Sequence, residues 1–269
     1  MAIRPAEPPP YLRTDLTATE RAAIVAVVGP LDDALVHPIR DGRGRVFQRL
    51  EFLGDSVLDL VMMVHAVVEP ACPRCTSVGG DVAKLVTDQR LAKQAAASGL
   101  GSWLEWEPSH ERLADLVEAC AASAWLAGRW PQVTTFAAAF VHPLGPAVAA
   151  ALASSPEHDS SSAPRIKVER RMGASLFELA AGYRLFTDHP DVDEGELSRL
   201  RALNHRATRI AAFARHHHLF AEAAADHPGS PLTTPDDSVV SDQVEAMLAE
   251  RLLQHGADAA LATADEVLR

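Results

Sequence analysis

The fold is decided by residues 49–68, which read RLEFLGDSVLDLVMMVHAVV. Apolar residues recur there every three or four positions, which is the spacing of one face of an α-helix. Residues 112–126 repeat the same rhythm. Two long helices with buried faces are therefore predicted. Their apolar positions are Leu50, Leu53, Val57, Leu60, Val61, Val64, Leu113, Leu116, Val117 and Cys120.

The rest of the chain is also patterned for helices. Prolines separate the periodic stretches, and no alternating apolar and polar run is bounded by hairpin turns. The 269 residues are 48% hydrophobic and 23% charged, a composition that excludes a disordered or collagen-like chain. We predict an all-α protein.

Composition also limits the compartment and the partners. No apolar run is long enough to cross a bilayer, and the N-terminal residues do not resemble a signal peptide. Three cysteines cannot form a disulfide framework, so a reducing cytoplasm is the expected location. The net charge of −11 argues against a surface that binds polyanions everywhere, but it permits a local basic face.

A polar, serine-rich segment divides the chain into two units. Residues 154–164 read SSPEHDSSSAP, which is typical of an interdomain linker. Both units have the usual size of a domain. The predicted organisation is a flexible segment over residues 1–14, a helical domain over 15–150, a linker over 151–164 and a second helical domain over 165–269.

Two pairs of acidic residues lie on the two predicted helices. Glu51 and Asp55 are four residues apart, and each shares one helix face with the other. Asp115 and Glu118, three residues apart, do the same on the second helix. Like charges at this spacing destabilise a helix, and Gly54 costs a further ~1 kcal/mol relative to alanine. Either pair alone is more often a solvated helix face.

The two acidic pairs would form a single site if the two helix faces meet. Four carboxylates would then converge in a partly desolvated cleft, where they cannot all stay ionised without a counter-charge. Mg²⁺ or Mn²⁺, which prefer oxygen ligands, would supply that charge. Beside a phosphodiester, such an ion activates water and stabilises the leaving oxygen.

Three segments resemble motifs of the ribonuclease III family. Residues 50–56, LEFLGDS, are similar to its signature sequence, and residues 114–119, ADLVEA, are similar to its second acidic motif. Residues 34–37, ALVH, resemble the end of the preceding helix in that family. The resemblance covers about residues 15–145. It implies a metal-binding catalytic quartet formed by Glu51, Asp55, Asp115 and Glu118.

The resemblance also implies an activity. Members of the family hydrolyse double-stranded RNA with Mg²⁺, for which Mn²⁺ is a candidate substitute, and leave 5′-phosphate and 3′-hydroxyl ends. Gln48, three positions before Glu51, departs from the acid that the family commonly has there, which puts RNA-strand or second-metal contacts in doubt. The implied function is a Mg²⁺-dependent endoribonuclease that acts on double-stranded or structured RNA.

The second unit contains an altered copy of the acidic motifs. Residues 169–177 align with residues 50–58 at an offset of 119 positions. Residues 242–245 align with residues 115–118 at an offset of 127 positions. We therefore interpret the second unit as a degenerate ribonuclease III-like domain.

This copy lacks the predicted metal chemistry. Arg170 and Ala174 stand where the first copy has Glu51 and Asp55, whereas Asp242 and Glu245 are retained. We expect Arg170 to form ion pairs with the retained acids. Because domains of this family ordinarily work as dimers, the tandem implies an intramolecular pseudo-dimer with one active centre, or a homodimer paired through the first domains.

A basic segment over residues 198–218 is the candidate RNA-binding surface. It contains no acid and offers point charges and guanidinium forks for phosphate contacts. A solvated helix face is the alternative. No separate double-stranded-RNA-binding domain fits in the remaining length, so an accessory protein could aid recognition. The arginines of this basic segment are Arg199, Arg201, Arg206, Arg209 and Arg215.

Two other functions stay open from the sequence. One is a non-catalytic RNA-binding or ribosome-associated scaffold that keeps the ribonuclease III fold, and the other is a heteromeric subunit of a composite nuclease.

Cys72 and Cys75 have the spacing of half a zinc site, but no second such pair exists.

Overall fold

A computed structural model describes residues 39, 42, 44–69, 85–98, 100–104, 108–127, 130–142, 144–153, 166–217 and 236–269. Every regular element in these ranges is a helix, which confirms the all-α prediction. None of their helices is long and apolar enough to span a membrane. Several features predicted from the sequence lie outside the described residues: the segments 1–14, 34–37 and 154–164, and the cysteines Cys72 and Cys75.

Both predicted long helices are present in the first half of the chain, residues 44–153. The helix predicted from residue 50 begins earlier, at Gly44, and both Gly42 and Gly44 have positive φ angles, +57° and +80°. The helix that carries the second acidic pair begins at His110, where the Ser109 hydroxyl accepts a hydrogen bond from the Arg112 amide. The elements are α1 Gly44–Val68, α2 Asp88–Ser98, a short 3-10 helix Leu100–Trp103, α3 His110–Leu126, α4 Trp130–Phe140 and α5 Pro146–Leu152.

The second half is described over residues 166–217 and 236–269, and its regular elements there are also helices. Asp193 caps the helix that follows it by accepting a hydrogen bond from the Glu196 amide. Gly256, at a φ of +81°, separates the last two helices, and this left-handed conformation favours glycine. The elements are α6 Ile166–Asp188, α7 Glu194–Asn204, α8 Ala207–His216, α9 Asp237–His255 and α10 Ala257–Leu268.

Among the described helices, α1 packs against both α3 and α6. Of its 25 residues 17 are buried, so the polar groups on this helix need partners within the protein. Arg49, which is fully buried, donates hydrogen bonds of 2.5–2.7 Å to the carbonyl oxygens of Phe186, His189 and Val192. These carbonyls lie at the C-terminal end of α6, so a cation of the first half caps a helix of the second.

The same close helix crossing occurs in both halves. A Cβ atom added to Gly54 of α1 would lie 1.8 Å from the backbone oxygen of Glu118 in α3. A Cβ atom added to Gly173 of α6 would lie 1.7 Å from the backbone oxygen of Glu245 in α9. These two glycines, and the two glutamates, are the residues that the sequence alignment of the two copies pairs with each other. Only a glycine lets the backbones approach this closely.

Candidate metal centre

Three of the four predicted acidic ligands meet between α1 and α3. Glu51 from α1 and Asp115 and Glu118 from α3 each offer a carboxylate oxygen, and these oxygens all lie within 4.8 Å of one another. The crossing at Gly54 produces this arrangement, because it presses the backbone of α1 against that of Glu118. The two predicted helix faces therefore do meet.

Burial, together with the charges of neighbouring carboxylates, raises the pKa of each of these three carboxyl groups. Desolvation, followed by the charges of Asp55, Glu51 and Asp115, raises the pKa of Glu118 to about 10. Desolvation and the charge of Asp115 raise the pKa of Glu51 to about 7. Desolvation also raises the pKa of Asp115 to about 6, although Arg112 opposes the shift. The cluster has more negative charge than its surroundings balance.

A divalent cation fits this cluster. Among the described residues, Arg112 contacts Asp115 at 3.0 Å, and no cation contacts the Glu118 carboxylate. Three carboxylates from two rigid helices supply the hard oxygen donors that Mg²⁺ and Mn²⁺ prefer. The residues present thus match a divalent-ion site.

Asp55, the fourth predicted ligand, is not a member of the three-residue group. Its carboxylate pairs with Arg201 of α7, whose guanidinium nitrogens lie 3.4 and 3.5 Å from Asp55 Oδ2. The same guanidinium donates a 2.6 Å hydrogen bond to the hydroxyl of Ser56 and stacks over the ring of Phe52 at 4.5 Å. A residue of the second half therefore lies directly beside the acidic cluster of the first.

In the second half, basic side chains of the protein contact the acids that correspond to the metal cluster of the first half. The expected ion pair of Arg170 is present with Asp242, at 2.5 Å. Glu245 lies 3.7 Å from His205, which also contacts Glu178 at 3.0 Å. Ala174, half-buried on α6, contributes no charge. Both retained acids therefore already face a basic side chain.

His205 is a residue that the sequence interpretation placed in the basic segment rather than in this cluster. Its ring is stacked on Phe177, with ring centres 5.5 Å apart. Burial alone would lower the pKa of His205, but the carboxylates of Glu178 and Glu245 outweigh it and raise the pKa to about 9. Glu178 lies four residues after Ala174 and therefore shares its helix face, and this spacing is the signal in the sequence that Glu178 belongs to the cluster.

We expect the stability to depend on His205 in a defined pH window. Because its pKa is higher in the folded than in the unfolded chain, the imidazolium stabilises the protein fully below pH 6.5, and this contribution is lost as the pH rises through 9. His205→Gln should therefore cost about 2 kcal/mol at pH 6 and much less at pH 9.5. Urea unfolding at both pH values measures the difference. The exposed His255→Gln is the control, and equal losses at both pH values would contradict the assignment.

The arginines of the basic segment have different surroundings. The segment itself contains no acid, but acids outside it reach three of them: Arg199 pairs with Glu196, Arg201 with Asp55 and Arg215 with Asp237. Of the other two, Arg209 donates a hydrogen bond to Asn204 and Arg206 is exposed. Their binding of RNA stays a prediction.

One curated relative is a ribonuclease. Ribonuclease 3 from Bifidobacterium longum is 30% identical to this chain over 95 residues, which are 33% of this chain and 38% of the relative. The match therefore spans well under half of the relative's length. No protein-family model matches the chain. The similarity supports a partial relationship to ribonuclease III, in keeping with the resemblance of the acidic motifs.

Proposed function

We propose that this protein is a Mg²⁺-dependent endoribonuclease that hydrolyses double-stranded or structured RNA. The observation that carries the proposal is the convergence of Glu51, Asp115 and Glu118 between two helices. The partial similarity to Ribonuclease 3 favours the hydrolysis of RNA as the reaction at this cluster. A nuclease of this class needs an ion held by oxygen ligands beside the scissile phosphate.

The side chains have separate roles in this proposal. Glu51, Asp115 and Glu118 hold the ion, and Arg112 orients Asp115 through their 3.0 Å contact. A Mg²⁺ ion held there would activate a water for attack on the phosphodiester and stabilise the leaving 3′-oxygen. The rigid crossing at Gly54 fixes the two helices, so the carboxylates do not need to reorganise when the ion enters.

The two halves are proposed to be tandem ribonuclease III-like domains over residues 15–150 and 165–269 that pair within one chain. Two observations support this pseudo-dimer: the matching crossings at Gly54 and Gly173, and the packing of α1 against α6. Because basic side chains neutralise Asp242 and Glu245 in the second half, each chain has one active centre. A single chain would then nick one strand of a duplex.

RNA is proposed to bind along the exposed part of the basic segment. Arg206 and Arg209 form no ion pair with a described acid, which leaves their charge for phosphates. Arg199, although paired with Glu196, is solvent-exposed and can exchange partners at little cost. Recognition would rest on the shape and phosphates of the duplex, and an accessory protein could add specificity.

A strand-resolved cleavage assay tests the proposed function. Duplex RNA with a different label on each strand is incubated with the protein in Mg²⁺ and in EDTA. The pseudo-dimer predicts Mg²⁺-dependent cleavage of one strand per binding event, whereas cleavage of both strands at once indicates a homodimer. Equal cleavage in EDTA would contradict the metal centre.

A non-catalytic RNA-binding scaffold is the second candidate. The observation that favours it is the ion pair of Asp55 with Arg201, which draws one predicted ligand away from the cluster. The scaffold predicts that the protein binds the labelled duplex while both strands remain intact in Mg²⁺ and in Mn²⁺.

A further inference from the structure

We propose that Arg201 takes the place of a second divalent cation beside the acidic cluster, so that the centre holds one ion. The inference deepens the proposed function and rests on it. Arg201 is a positioning residue here, because it acts through Asp55. The second half would thereby complete the active centre of the first.

The guanidinium of Arg201 is held in a defined position. Ser56 accepts its hydrogen bond at 2.6 Å, the ring of Phe52 lies beneath it at 4.5 Å, and Asp55 lies 3.4 Å away. These three partners lie between residues 52 and 56 of α1, next to the predicted ligand Glu51. The side chain of Arg201 is 20% exposed and that of Asp55 is 51% exposed, so the contacts with Ser56 and Phe52 are the better shielded from solvent. Stacking on an aromatic ring is a geometry that arginine favours.

The acids divide between two cations as a result. Glu51, Asp115 and Glu118 form one group of mutually close carboxylates. Asp55 lies outside that group and pairs with Arg201. Gln48, one turn before Glu51, is neutral, so this end of α1 offers no other carboxylate to a second ion. The three-carboxylate group suffices for one divalent ion, and the fourth acid is already occupied.

Removal of the guanidinium should open a second metal position. Without Arg201, the negative charge of Asp55 is uncompensated next to Glu51, and the two carboxylates lie one helical turn apart. A divalent ion then becomes the available counter-charge. The control is Arg199→Gln, which removes the same charge from the same helix but at a residue paired with Glu196.

The test is the Mn²⁺ stoichiometry of the full chain. Mn²⁺ is titrated into metal-free protein, and the free ion is followed by its electron paramagnetic resonance signal. We expect one bound ion for the wild type and for Arg199→Gln, and two for Arg201→Gln. Adding Asp55→Asn to Arg201→Gln should return the stoichiometry to one. Circular dichroism verifies that each variant is folded.

A second variant keeps the proposal testable if Arg201→Gln does not fold. Asp55→Asn alone should still bind one Mn²⁺, because Asp55 is not a member of the three-carboxylate group that holds the first ion. A folded Asp55→Asn that binds no Mn²⁺ would overturn the inference. So would two ions in the wild type, or one ion in folded Arg201→Gln. No bound ion in the wild type would overturn the proposed function itself.

Discussion

Glu118→Gln is expected to lower Mg²⁺-dependent cleavage of duplex RNA by at least about 100-fold. The change keeps the size of the side chain but removes the charge that has the least compensation in the cluster, since no described cation contacts this carboxylate. Initial rates on labelled duplex at saturating Mg²⁺ measure the effect. Glu250→Gln, on the exposed face of α9, is the control and should leave the rate unchanged.

The same substitution should make the metal-free protein more stable. The pKa of Glu118 is about 10 in the folded protein against 4.5 for an ordinary glutamate, so the folded state binds this proton more tightly. Stability of the metal-free wild type therefore falls as the pH rises from 4.5 towards 10. At pH 8 the melting temperature of Glu118→Gln in EDTA should exceed that of the wild type, and Mg²⁺ should raise only the wild-type value. If Glu118→Gln cleaved duplex RNA at the wild-type rate, the proposed role of Glu118 in holding the ion would be refuted.

Gly54→Ala is expected to destabilise the protein by about 3 kcal/mol, at the upper end of the cost of overpacking. The new methyl group would lie 1.8 Å from the Glu118 backbone oxygen, so α1 and α3 must move apart. The gain of ~1 kcal/mol in helix propensity from glycine to alanine does not offset that movement. Because the crossing also sets the distance between Glu51 and Glu118, Mn²⁺ affinity should fall together with stability. Urea unfolding and Mn²⁺ titration measure the two effects.

Gly195→Ala is the matched control for this prediction. Gly195 also lies in a helix, but a Cβ atom there would contact only Asp193 Oδ1, at an ordinary 3.7 Å. The control should leave stability unchanged or raise it by about 0.5 kcal/mol. Gly173→Ala, at the equivalent crossing of α6 and α9, should destabilise as Gly54→Ala does. If Gly54→Ala matched Gly195→Ala, the close crossing would be refuted.

Much of the fold and of the metal cluster follows from local sequence pattern. The apolar period of residues 49–68 and 112–126 predicted both long helices, because burial of one face repeats at the helical period. The spacing of the acids predicted which carboxylates share a face. From the sequence Gly54 is only a cost to the helix, and the structure adds the packing reason. The glycine admits the backbone of Glu118, and through that contact it brings the acids together.

Contacts between the two halves could not be predicted in this way. Arg201 lies 146 positions from Asp55, and the sequence pattern assigned it to an RNA-binding surface. Arg49 reads as the polar start of an apolar helix, yet it is fully buried against carbonyl groups of residues 186–192. His205 gives no local signal of its two glutamate partners. Each of these roles depends on how α6 and α7 pack against α1, which periodicity does not encode.

The central claim is that Glu51, Asp115 and Glu118 bind one divalent ion together. A crystal grown with Mn²⁺ and measured at a wavelength where manganese scatters anomalously tests it most directly. The account predicts a single anomalous peak between α1 and α3, within about 2.5 Å of an oxygen from each of the three carboxylates. An ordered cluster without a peak, or with Glu118 turned away from the ion, would contradict it.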